Sequence, residues 1–395
     1  MKLAIIGTGK IVHEALNALT AVDSIHVGAI YARPHSVQTG EELARQYGIA
    51  EVYTDYDRLL AEADVDAVYI GLINCAHFSY TKAALLAGKH VILEKPLTST
   101  VEEAQELSRI SKETGCYVLE AITSTHNKVF GHMKEVLEDL GQIRIAQFTF
   151  SQYSSKYADY LNGKIAPTFD PQLSGGALYD MNLYNIYLAT GLFGAPENVM
   201  YYPNIGYNGI DTSGIVVLSY PQFKAICIGT KDTDGPNAAV IQGENGWMRM
   251  DGKPNVDNNL EVAVVGNAAH ADGCGAVLTD PEAGKAGKSG GQLQLSASGS
   301  VDRSFTKRQY EAEKVHHRMC AEFKDFARII DEKDDAGAEA LLQNSLTVMQ
   351  VLEKARKSAG IRFGCDGELY GSETAGSGKT VTEFCAYRNR IMRRA

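Results

Sequence analysis

The sequence predicts an α/β chain in two parts: a doubly wound parallel sheet first, then an α+β part with a large open, mostly antiparallel sheet. Three observations predict it. As far as residue 122, segments that are apolar throughout alternate with segments of helical periodicity, the pattern of strands covered by helices on both faces. A glycine pair, Gly7 and Gly9, falls between the first such strand and the first helix. Beyond residue 122 the period shortens to two and strand follows strand without helices between, as in an antiparallel sheet with one open face.

Taken in order, "KLAIIG" (2–7) is the first buried strand, and apolar residues at helical spacing over 13–22 make the first helix. "HVGAIYA" (26–32) is a strand, "GEELARQYG" (40–48) a helix, "DAVYIGLI" (66–73) a strand and "YTKAALLAG" (80–88) a helix. "HVILEKPL" (90–97) begins as a strand and stops on Glu94, Lys95 and Pro96. An acid, a base and a ring without an N–H are poor continuations of a buried strand. Thr100 and Glu103 form a capping box for a helix running to about Lys112, and "CYVLEAI" (116–122) is one more strand.

A helix over 127–140 opens the second part, with period-2 strands at 144–153, 214–220, 224–230, 238–243 and 260–266. Residues 267–303, rich in Gly, Ala and Ser, read as a long surface loop. Residues 308–332 and 336–359 read as two amphipathic helices. The domain boundaries expected are thus 1–121, 122–362 with the 267–303 insertion, and a tail of unassigned structure over 363–395. Within the tail "GSGKT" (376–380) imitates a phosphate loop, but Glu373 stands where that loop needs glycine and no buried strand precedes it.

The 395 residues are 45% hydrophobic and 22% charged, enough for two cores in a soluble globular protein. No apolar run approaches the roughly 20 residues of a membrane span. The apolar start is interrupted at 7–10, so it reads as a strand and not a signal peptide. A net charge of −10 argues against a nucleic-acid surface. Seven dispersed cysteines without a C-x-x-C pair suggest reduced thiols in a cytoplasmic protein, with no zinc site. No metal and no membrane or nucleic-acid partner is expected.

Gly7-Thr8-Gly9-Lys10-Ile11 lies where a dinucleotide pyrophosphate would meet backbone N–H groups and the positive end of a helix dipole. The third position of that pattern, usually Gly or Ala, is Val12. At the end of the second strand an NAD site wants a carboxylate and an NADP site a cation. Tyr31-Ala32-Arg33-Pro34 offers an arginine. A guanidinium–phosphate contact is worth about 1.5–3 kcal/mol, so the expected cofactor is NADP, with NAD the alternative. Glu94 and Lys95, and Asn74 to His77 in "NCAH", stand at carboxyl ends of strands, where ligands of a doubly wound sheet bind.

"AIIGTGKI", "AALLAGKHVILEKPL" and "SGGALYDMNLYNIYLATGLFG" (174–194) together resemble the Gfo/Idh/MocA oxidoreductase family. The resemblance covers residues 1–266 and 308–362. It implies an N-terminal Rossmann NAD(P)-binding domain and an α+β substrate domain whose open sheet mediates homodimers or homotetramers. It also implies that Lys95 contacts substrate beside the nicotinamide, with Pro96 commonly cis, and that Asn74 and His77 lie in a loop near the nicotinamide. The family's Asp-x-Gly-x-His signature is altered here: Asp180 matches, Asn182 replaces glycine and Tyr184 replaces histidine. A phenol is a workable proton donor when a cation lowers its pKa, and Lys95 is the candidate cation. Tyr184 is therefore the expected general acid/base, with Lys95 and Asp180 positioning the reacting oxygen and Tyr153 offering a polyol contact.

The function expected is hydride transfer between NADP(H) and a sugar, polyol or related hydroxy or diol compound. A nicotinamide-dependent glycosidase working by redox and elimination is the first alternative. A nucleotide-sensing regulator without turnover is the second.

Overall fold

The computed structural model describes residues 1–265 and 303–367. The 267–303 loop, save its last residue, the GSGKT string and the tail beyond 367 lie outside the described residues.

Six strands form the first sheet: β1 (Lys2–Ile6), β2 (His26–Tyr31), β3 (Glu51–Tyr53), β4 (Ala67–Ile70), β5 (His90–Glu94) and β6 (Val118–Ala121). They pair in the order β3-β2-β1-β4-β5-β6, all parallel. Between them run α1 (Lys10–Leu19), α2 (Val37–Tyr47), α3 (Tyr56–Glu62), α4 (His77–Leu86) and α5 (Val101–Thr114). Leu3 and Ile5 enter one apolar cluster with α1 and α2, while Ala4 and Ile6 enter another on the opposite face. Double burial is why these strands carry no polar alternation. The order reverses between β1 and β4, which places the ligand crevice there. β3 and α3, three and seven residues long, were too short to show a period. At the start of α5 the side chain of Thr100 caps the helix, its Oγ1 accepting from the Glu103 N–H at 3.2 Å. The Glu103 carboxylate reaches back and accepts from Ser99 N at 3.2 Å.

The second sheet has eight strands: β7 (Ile143–Ser151), β8 (Asn198–Ile205), β9 (Asp211–Ser219), β10 (Lys224–Thr230), β11 (Ala238–Gly243), β12 (Gly246–Asp251), β13 (Leu260–Val265) and β14 (Phe305–Tyr310). Their order is β14-β13-β12-β11-β7-β10-β9-β8, with only β7 and β10 parallel. Its inner face packs on α6 (Lys128–Val136), α8 (Leu183–Phe193) and α10 (Asp335–Ser358). The outer face leaves Ile145, Met200, Tyr202 and Ile215 exposed. A short helix, α7 (Tyr157–Leu161), follows β7.

The helix expected over 308–332 is corrected. Residues 305–310 complete the sheet as its edge strand, and helix α9 runs only over Cys320–Glu332. Lys307 and Arg308 are charges on this edge strand, a common guard against further pairing. Lys307 lies over the Trp247 ring and Arg308 pairs with Asp139. β8 and β12 were also unforeseen; β8 is an edge strand with Pro203, and β12 follows β11 after a two-residue Glu244-Asn245 turn.

Although α9 follows the second sheet in the chain, Phe323, Phe326, Ile329 and Ile330 pack beside Leu3, Ile5, Tyr69 and Leu119 of the first. Nor does the folded body stop at residue 362. Phe363 is buried edge-on to Tyr179, and buried Arg356 pairs with Asp366.

Candidate active site

At the crevice end of β1, Gly7 donates to Tyr31 O at 3.0 Å and holds φ at +120°. A Cβ there would lie 2.7 Å from Gly71 O, so this close approach of two strand ends requires glycine. Gly9 caps α1, and a Cβ on it would meet nothing within 4 Å; a phosphate could approach these N–H groups. Thr8, Lys10 and Ile11 complete the turn, the Lys10 side chain being almost fully exposed. Val12, on α1, is wholly buried and fits because it faces Gly71 just past β4, whose Cβ would stand 2.8 Å from Val12 Cγ2. A glycine at the strand end makes room for the bulk on the helix.

Arg33 caps the turn Pro34–Ser36 just past β2 and is half-buried. Among the described residues its guanidinium has no hydrogen-bond or ion-pair partner, and the Gly7–Tyr31 bond sets its strand end beside the glycine turn. These residues fit a dinucleotide with a 2′-phosphate. Asn74 donates to Ser174 O at 2.8 Å, tying the loop after β4 to the second part of the chain. His77 is fully buried, with Nδ1 2.7 Å from Pro96 O and Nε2 3.1 Å from Leu72 O. The neutral ring has one N–H, so one of these carbonyls accepts from it and the other only touches it; the ring sits between the loops after β4 and β5. Burial holds its pKa below the ordinary value. The Glu94 carboxyl is likewise turned inward, accepting from the Tyr69 hydroxyl at 2.8 Å, and burial raises its pKa despite the adjacent Lys95.

Lys95 follows β5 directly, and its peptide bond to Pro96 is cis. Its Nζ lies 2.7 Å from Asp180 Oδ1, 3.2 Å from Asp180 O and 5.2 Å from the centroid of the Tyr184 ring. Asp180 and Tyr184 reach it through an unusual local backbone. Gly175 and Gly176 turn the chain where a Cβ would strike Pro167 O and the Asp211 carboxylate respectively. Asp211 then accepts from Leu178 N at 2.6 Å and fixes the entry to a π-helical turn, Leu178–Asn182, that runs into α8. Such wide turns recur at functional sites.

The second oxygen of Asp180 meets a residue that the sequence reading missed. Lys231 Nζ lies 2.7 Å from Asp180 Oδ2, 2.7 Å from Thr168 O and 4.4 Å above the Phe169 ring, and the side chain is fully buried. Ala225, Cys227, Gly229 and Lys231 are the inward positions of β10 and its exit. A lysine on the buried phase of a strand was the signal that could have found it. Burial raises the Asp180 pKa, but the two ammonium groups outweigh it and hold the carboxylate well below its ordinary value. Burial also works against Lys95, yet Asp180 and the Tyr184 phenol keep its ammonium charged. Lys231, the more deeply set, is lowered by burial in spite of Asp180.

Tyr184 is nearly buried, edge-on to Phe150, and its hydroxyl has no hydrogen-bond partner among the described residues. Burial raises its pKa, while Lys95 and then Arg318 pull it down. Arg318, also unforeseen, precedes α9 and pairs with Glu14 of α1 at 2.7 Å. Tyr153 is 43% exposed. It sits where Gln152 N and Ser154 N donate to Thr230 O and Lys231 O, so its strand end runs beside the one bearing Lys231. Among the described residues no helix is long and apolar enough to cross a membrane.

The family model described as "Oxidoreductase family, NAD-binding Rossmann fold" matches residues 1–121, and "GFO/IDH/MocA C-terminal domain" matches 130–249. The chain is 29% identical over 366 residues to scyllo-inositol 2-dehydrogenase (NADP(+)) of Bacillus subtilis, covering 93% of this chain and 99% of that protein. It is 30% identical to an uncharacterized oxidoreductase, YgjR, of Escherichia coli, over 63% of this chain and 75% of the other. Its identity to trans-1,2-dihydrobenzene-1,2-diol dehydrogenase of Xenopus tropicalis is 28%, over 63% and 74%. The solved 3-ketoreductase KijD10 of Actinomadura kijaniata, in complex with NADP and TDP-benzene, superimposes with a TM-score of 0.69 at 20% identity, over 91% of this chain and 97% of that one. At that identity the superposition speaks for the fold.

Proposed function

The chain belongs to the Gfo/Idh/MocA family of NAD(P)-dependent oxidoreductases, and from that membership we propose that it moves hydride between NADP(H) and a sugar, cyclitol or related polyol. The observation that carries this reading is the Lys95 ammonium, held between the Asp180 carboxylate and the Tyr184 ring at the carboxyl end of β5. The relatives named for scyllo-inositol and dihydrodiol substrates point to vicinal hydroxyls, and the first of them is named for NADP(+).

Residues 1–121 would hold the cofactor through Gly7, Thr8, Gly9, Lys10 and Ile11, with Arg33 on the 2′-phosphate, and the second part would supply the substrate wall. The nicotinamide, when bound, gives or takes the hydride. Lys95 then donates a hydrogen bond to the reacting oxygen and stabilises negative charge as it develops there. Tyr184, whose hydroxyl is unengaged among the described residues, gives the proton to that oxygen in reduction and takes it in oxidation. Asp180 keeps Lys95 charged and in place, and Tyr153 borders the remainder of the substrate.

The exposed apolar row on the outer face of the second sheet supports a homodimer or homotetramer formed through that face. Five free cysteines among the described residues accord with a cytoplasmic protein.

The test follows NADPH oxidation with keto-inositols, keto-sugars and diketones for the wild type and Tyr184→Phe. Turnover in the wild type, reduced about 100-fold or more in the variant with NADPH binding kept, is the expected result. Tight cofactor binding without turnover on any carbonyl would sink the enzyme reading. Glycoside cleavage without net cofactor change would replace it with the elimination mechanism.

A further inference from the structure

Asp180 needs only one ammonium to keep Lys95 charged, yet it has two. Each oxygen is 2.7 Å from a lysine nitrogen, Oδ1 from Lys95 and Oδ2 from Lys231. The two lysines come from different sheets, Lys95 at the end of β5 and Lys231 at the exit of β10, and Asp180 lies between them on the π-helical turn. Lys231 spends its remaining polar capacity on Thr168 O and its third direction on the Phe169 ring. It is 1% exposed, so it does not itself reach a substrate.

We infer that Lys231 is a positioning residue that fixes Asp180 and leaves the catalytic cluster with a net positive charge, thereby setting the pH at which Tyr184 works as a base. Two ammonium groups around one carboxylate leave one positive charge uncancelled in the cluster, whose member nearest the phenol is Lys95, 5.2 Å from the centre of the Tyr184 ring. With Lys231 neutral or absent, Lys95 and Asp180 cancel and that bias is lost. The other charged groups facing Tyr184 are Arg318 from the segment before α9 and Glu94 at the end of β5. Glu94 is inward and engaged by Tyr69. Facing Lys231 itself, beyond Asp180, are Lys95 and the buried Asp211, and the Asp211 carboxyl is occupied by Leu178 N and the Tyr201 hydroxyl. Arg318 is a cation, but it is paired with Glu14 and stays unchanged in any Lys231 variant, so it does not offset the loss of the Lys231 charge.

The inference rests on the acid/base role given to Tyr184. It is tested with Lys231→Gln, which keeps a donor toward Asp180 or Thr168 O without the charge, and Lys231→Met, which removes both. The rate of alcohol oxidation with NADP is measured from pH 5.5 to 10. For both variants the rising limb should move up by about one unit, with kcat at neutral pH roughly tenfold lower and the NADPH Kd unchanged. A glutamine variant whose limb coincides with the wild type overturns the inference, whatever its melting temperature. If Lys231→Met does not fold, the glutamine variant alone decides. Retained activity in Tyr184→Phe would instead remove the reading beneath it, so the two failures are distinguishable.

Discussion

Asn182 and Gly229 are a matched pair. A Cβ on Gly229 would lie 2.6 Å from Asn182 Cβ, and Asn182 donates to Cys227 O at 3.0 Å on the same strand. The asparagine occupies the position where the resemblance led us to expect glycine, and strand β10 has given up a side chain to receive it. Gly229→Ala should therefore push the π-helical turn away from the sheet and with it Asp180. A loss of about 1–3 kcal/mol in denaturant unfolding is expected for such overpacking, together with reduced turnover. An alanine variant of wild-type stability and activity would show that the turn yields freely.

Arg33, half-buried at the end of β2, has no hydrogen-bond or ion-pair partner for its guanidinium among the described residues. Arg33→Ala should weaken NADPH about tenfold or more and leave NADH binding as it was. Fluorescence titration with both nucleotides reads this directly. Equal weakening of the two would place the side chain on the adenine and not on the 2′-phosphate.

Glu120 is buried beneath the site, with the Tyr187 hydroxyl donating to it and Ser345 Oγ 2.8 Å beyond. Burial pushes its pKa from 4.5 up to about 7 against the pull of those hydroxyls. Between these values the folded chain holds a proton that the unfolded chain has released, so stability falls as pH rises through that window and stays lower above it. Glu120→Gln should flatten the fall, leaving the protein more stable at pH 8 by on the order of 3 kcal/mol. Unfolding midpoints at pH 5.5 and 8 for both proteins measure it. An unchanged slope would show that other groups carry it.

The outer face of the second sheet presents Tyr202 at 59% and Ile215 at 41% exposure, on paired positions of β8 and β9. If this face joins two copies, Tyr202→Lys with Ile215→Lys should shift sedimentation to the monomer without unfolding the chain. Persistence of the same assembly would move the interface elsewhere.

Much of this was legible in the residues because the first sheet is covered on both faces, and burial on both faces leaves continuous apolar runs. Lys95, Asp180 and Tyr184 were found through their motifs and do come together. Lys231 and Arg318 escaped because each joins the site only through contacts far along the chain, 51 residues from Asp180 in one case and 304 from Glu14 in the other. Glu94 and His77 were read from their positions at strand ends. What position could not tell is which way a side chain turns, and both turn inward. Edge strand β14 was missed for a related reason: its exposed Lys307 and Arg308 obey the solvent more than the sheet.

The return of α9 to the first sheet has a consequence in time. Its phenylalanines complete a core whose other members lie mostly in the first 121 residues, yet Cys320, where the helix begins, leaves the ribosome about 200 residues later. At about 5–20 residues per second that is roughly 10–40 seconds, during which one wall of the nascent sheet stands open to water, to chaperones or to a neighbouring chain. The cofactor-binding half is thus the first to be made and among the last to be closed.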